Sequence, residues 1–151
     1  MLREAYEKVR KNYGLPLFAE LDAEFELAGI EEEDWPLRTV RRKIVEKLTG
    51  ITEILEGIVF PREMGSQLYE AGLLSEDERR EAFELHKTLM VHLRAADVAS
   101  IAASDAHDAA FIKELLKEWK GLKQRLIGLL EALGQGWKKI EPKHERASYL
   151  W

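Results

Sequence analysis

Asp97, Asp105 and Asp108, with His107 between the last two, come nearest in type and spacing to a chemistry. Carboxylate oxygens are the ligands that Mg²⁺ and Mn²⁺ prefer. A turn at Ser104-Asp105-Ala106-His107 would fold the flanking helical segments back on each other, bringing Asp97, about two helical turns earlier, beside Asp105 and Asp108. Such a corner would suit a metal-dependent hydrolase. The same residues have a structural reading, in which Asp105 and Asp108 are the N-cap and N3 residues of the next helix and satisfy its free amides. Asp97 would then pair with an arginine or bond the turn's backbone. A second constellation is Arg79 with His86, which two turns of helix bring to one face. On a wheel at about 100° per residue, Arg79, His86, Met90, Leu93 and Asp97 form a stripe inside the apolar arc. His86 and Asp97 are therefore expected to be buried, where ionisable groups need partners or shifted pKa values. A satisfied core histidine is the preferred reading of His86.

The elements that must hold these residues are helical. A first helix carries Leu2, Ala5, Tyr6 and Val9 and closes at Tyr13-Gly14. Pro16 is placed in the first turn of a second helix (Leu17, Leu21, Phe25, Ala28) that ends at Gly29 as a left-handed cap. Asp34 is the expected N-cap of a third, whose stripe runs Val40, Ile44, Leu48, Ile51, Leu55 and Ile58 until Phe60-Pro61 stops it. After a short helix near Gln67–Glu70, closed by Gly72, Ser75 and Glu78 form a capping box. The helix behind that box should bury Ala82, Phe83, Leu85, Leu89, Met90, Leu93, Ala96 and Ile101. The last helix presents Phe111, Leu115, Trp119, Leu122, Leu126, Leu129, Leu130 and Leu133, and should close at Gly134 and Gly136. No alternating strand pattern and no internal repeat competes. The expected fold is an all-α antiparallel bundle of four to six helices with a long C-terminal helix hairpin. Residues 1–135 make one domain, and 136–151 a polar, partly basic tail with an aromatic end.

Composition narrows the chemistry. With 151 residues the chain can bury a core unaided, and having no cysteine it has no disulfide, zinc-thiolate site or thiol nucleophile. Asn12 is the sole asparagine, whereas Glu, Lys and Arg abound, a bias that fits a thermophilic protein. No apolar run approaches the 18 or so residues of a membrane span, and Met1-Leu2-Arg3-Glu4 opens no signal peptide, so a cytoplasmic location without membrane association is expected. Di-iron bundles need Glu-x-x-His pairs, zincins a second histidine near His144-Glu145, and nucleotide loops a G-x-x-x-x-G-K-[ST]. All are missing, as is a G-x-S-x-G elbow. Glu53 and Glu56 project from the polar side of their helix and are expected to be solvated. No cofactor is expected.

The spacing Arg79-x6-His86 resembles the R-x4–6-H element of HEPN-type ribonucleases, small all-α dimers in which the Arg and His act on the RNA backbone. The resemblance rests on those two residues, with Arg80 where a polar residue usually follows the Arg. It implies an RNase that uses Arg79 and His86.

Basic residues supply another candidate surface. Arg38, Arg41, Arg42, Lys43 and Lys47 crowd the start of the third helix, Lys113, Lys117 and Lys120 line the last one, and Lys138, Lys139, Lys143 and Arg146 the tail. Phosphates could be bound there in a salt-dependent way. The net charge of −5 and the interleaved Glu46, Glu114, Glu118, Glu141 and Glu145 favour a solvated, salt-bridged surface instead. Nucleic-acid binding is thus not the favoured reading. Apolar residues on the outside say more. Val91, Val98 and Ala102 lie on the outer side of the Ser75 helix, and the chain ends Tyr149-Leu150-Trp151. Either the tail covers that face or a second subunit does, and a twofold dimer is the commonest solution. The expectation is a non-enzymatic, self-associating interaction or scaffold bundle, with a further protein partner possible. The RNA- or DNA-binding bundle (or ribonuclease) and the metal-dependent hydrolase are the alternatives.

Overall fold

The computed structural model describes residues 1–32, 34–62 and 65–140. The expected Tyr149-Leu150-Trp151 interaction segment lies outside the described residues, as do His144, Lys143 and Arg146. Among the described residues six helices follow one another: α1 (Leu2–Tyr13), α2 (Phe18–Phe25), α3 (Pro36–Val59), α4 (Ser66–Leu73), α5 (Glu76–Ala102) and α6 (Asp105–Lys138). No strand occurs among the described residues, and the fold is an all-α helical bundle.

The short helices are set by side chains that satisfy free backbone groups. Gly14 ends α1 in the left-handed conformation (φ 64°), with its N–H directed at the carbonyls of Arg10 and Lys11. Helix α2 has no side-chain cap of its own at Leu17. Glu7 supplies one from α1, its Oε1 accepting the Phe18 N–H at 2.9 Å. That bond, aided by Arg10, holds the Glu7 carboxyl below the ordinary glutamate range. Pro16 lies ahead of the helix rather than in its first turn, and its carbonyl accepts the Tyr6 hydroxyl at 2.7 Å. Burial pushes the Tyr6 phenol well above its usual pKa.

Two ends differ from the sequence expectation. Helix α2 stops at Phe25, well before Gly29, with Glu26 left-handed at φ 54°. Asp22 is the cause. Its Oδ1 accepts the N–H groups of Leu27 and Ala28 at 2.7 and 2.6 Å, offering the backbone an alternative to further helix and turning Leu27 into the core. Helix α3 starts at Pro36, with the Thr39 N–H on the Trp35 carbonyl at 3.0 Å, so Trp35 and not Asp34 occupies the capping position.

The capping box is formed as the spacing requires. Ser75 N–H donates to Glu78 Oε1 at 2.8 Å, and Glu78 N–H to Ser75 Oγ at 3.1 Å. Between α5 and α6 the chain reverses over two residues. Ala103 adopts φ 51°, and Ser104 caps α6 by accepting the His107 N–H on its Oγ at 3.2 Å. The N-cap is thus Ser104, one residue before the expected Asp105. Helix α6 does not close at Gly134 or Gly136 but runs through both to Lys138. The ion pairs His92–Glu118 and Glu81–Arg125 show that α5 and α6 run antiparallel, since the α6 partner moves later as the α5 partner moves earlier.

The chain divides into two compact units. One comprises 1–51 and 89–120. Its core joins Leu2, Tyr6, Leu21 and Leu27 to Leu37, Ile44 and Leu48, and to Leu89, Ile112 and Leu115, all of them shut off from solvent. Trp119 closes part of it, donating from its indole N–H to Glu24 at 2.9 Å, with its ring centroid 5.4 Å from that of Phe25. The other unit comprises 52–88 and 121–151. Among its described residues Leu55, Ile58, Leu74, Ala82, Leu85, Leu122, Leu126, Leu129 and Leu133 are buried. There the Tyr69 and Trp137 rings stack at 5.4 Å, and Trp137 donates to Glu70 at 2.7 Å.

Candidate functional site

The acidic corner is taken apart by pairing. Asp97 is exposed and sits 3.2 Å from Arg94 one turn earlier, so its expected burial is corrected. Asp108 is buried, as its place on the wheel requires, and its Oδ1 accepts from Arg41 Nη1 at 2.7 Å. Burial raises the Asp108 pKa, with the Arg41 charge and hydrogen bond pulling against it. Asp105 is half-exposed at the start of α6, and exposed His107 holds its Nδ1 2.7 Å from the Ser104 hydroxyl. Among the described residues no group of three or more Asp, Glu or His side chains could hold a metal ion.

Arg79 and His86 do not converge either. Arg79 is exposed and donates to the Ala71 carbonyl at 3.3 Å, tying down the end of α4. His86 is only half-buried, its ring edge-on to Phe60 with centroids 5.9 Å apart. Each side chain has its own local task, and nothing brings the two together on one reacting atom.

The basic cluster at the start of α3 is likewise committed. Arg41 is 6% exposed and neutralised by Asp108, so it belongs to the core and not to a phosphate-binding surface. Arg38 lies over the Trp35 ring at 4.8 Å, and Lys43 pairs with Glu46 at 3.1 Å. Lys47 bonds the Glu24 carbonyl and stands 5.5 and 5.7 Å from the Phe25 and Trp119 centroids. Arg42 is exposed. A shallow groove beside Gly14 and Pro16 carries Lys113, Lys117 and Lys120 with Glu20 and Glu114. Every charged group there is exposed and of mixed sign, which leaves no desolvated charge to recognise a ligand.

A buried histidine does exist, and it is His92. It is 7% exposed, with Nε2 2.7 Å from Glu118 Oε2. Its signal in the sequence was its position three residues after Leu89 and four before Ala96, on the flank of the row Leu85–Leu89–Ala96.

The remaining feature is the outer face of α5 between residues 91 and 102. Val91 is 64% exposed, Val98 58% and Ile101 87%, with Ala95 and Ala102 exposed beside them. Positions 91, 95, 98 and 102 recur at helical spacing, so they form one continuous strip. Ile101, expected in the core, belongs to it, and Phe83, also expected inside, is 45% exposed further up the helix. The only charges along the strip are Arg94 and Asp97 at its edge, paired with each other. Among the described residues no helix is long and apolar enough to cross a membrane.

Comparison of the chain with protein-family models, with characterised proteins and with solved structures gives no match.

Proposed function

We propose that the protein is a non-enzymatic, self-associating helical bundle, an interaction or scaffold module whose contact surface is the outer face of α5. The observation that carries this reading is the exposure of Val91, Val98 and Ile101 in one strip of a regular helix. Burying a Val or Ile side chain stabilises by roughly 1.5–3 kcal/mol, and a twofold contact buries each of them twice. Isolated apolar side chains on a surface are ordinary, but an uninterrupted strip whose only charges lie at its edge favours a partner. The ribonuclease and hydrolase readings draw on residues that are engaged elsewhere: Arg79 with Ala71, His86 with Phe60, Asp97 with Arg94 and Asp108 with Arg41.

Sedimentation velocity over a concentration series tests the proposal. The wild-type chain is expected to sediment as a dimer in the micromolar range. Val91→Glu with Val98→Glu should sediment as a monomer with an unchanged helical circular dichroism spectrum, because both positions are solvent-facing within the protomer. A wild-type chain that stays monomeric near millimolar concentration would overturn the proposal.

A further inference from the structure

We draw no further inference here: the strongest candidate, the surface patch of exposed Phe60 and Phe83 around half-buried His86 in the unit of residues 52–88 and 121–151, is an unpartnered apolar face, and nothing in the structure shows what covers it.

Discussion

Arg41 and Asp108, 67 positions apart in the sequence, form a buried ion pair with Nη1 2.7 Å from Oδ1, and their side chains are 7% and 3% exposed. Two desolvated charges are costly unless they stay together, so the pair specifies which part of α3 meets the start of α6 more than it stabilises the fold. Asp108→Ala alone should therefore cost roughly 3–5 kcal/mol, because it strands the arginine. Arg41→Met combined with Asp108→Leu should cost much less than the two single changes added together. Urea denaturation of the four proteins completes the cycle, and strict additivity would show that the pair is uncoupled.

Glu7 predicts a pH dependence. Its folded pKa is depressed, chiefly by the Phe18 N–H, so the stability it contributes is present above the unfolded pKa and is lost as the pH falls through the folded one. Asp108 has the opposite sign: its pKa is raised by burial, and its ionisation weighs against the fold above that pKa and is relieved below it. Glu7→Gln should lower the melting temperature at neutral pH, and the gap to wild type should narrow as the pH drops through the carboxylate range. A gap that is constant with pH would mean that the charge of Glu7 does not matter to the α2 start.

The helices, the Ser75–Glu78 box and the reversal near residue 104 were legible because each depends on local spacing. The buried polar groups were half legible. Asp108 lay on the apolar side of its wheel, and it is buried. Arg41 carried the same signal, at i+4 from Leu37 and three before Ile44, yet four neighbouring basic residues made it resemble a surface patch. On α5 the error had one cause. With Phe83, Met90 and Ile101 assigned to the core by hydrophobicity, the apolar arc widens until it takes in His86 and Asp97. Phe83 and Ile101 face solvent, so the true centre runs through Ala82, Leu85, Leu89 and Ala96, with His92 on its flank. Hydrophobicity alone does not distinguish an inner face from an outer face that is also apolar. The ends of α2 were hidden for another reason: Asp22 and Glu7 act on backbone amides five to eleven residues away, beyond any capping motif read from the sequence.

The capping box offers a third prediction. Ser75→Ala removes the acceptor for the Glu78 N–H and should cost about 1 kcal/mol, which for a chain of this size lowers the melting temperature by roughly 2–4 °C. Glu78→Ala should act in the same direction through the Ser75 N–H. Since both changes dismantle one reciprocal arrangement, the double variant should lose less than the sum. Calorimetry on the three variants decides it. Equal losses that add would mean that the two bonds form independently.

The glycines of α6 should respond to alanine with opposite signs. Gly121 and Gly128 lie inside the helix with no atom near the position a Cβ would take, so alanine there only removes the freedom that glycine has in the unfolded chain. Gly128→Ala should stabilise by about 0.5–1 kcal/mol. At Gly136 a Cβ would come within 3.0 Å of the Leu73 Cβ and 3.5 Å of the Leu73 carbonyl oxygen. Leu73 is the last residue of α4, and the contact is with its Cβ and backbone, not with the end of a flexible side chain. The helical preference of alanine is then offset by the separation of α4 from α6. Gly136→Ala should lower the melting temperature while Gly128→Ala raises it. If Gly136→Ala proves as stabilising as Gly128→Ala, α4 does not pack against α6 as closely as described.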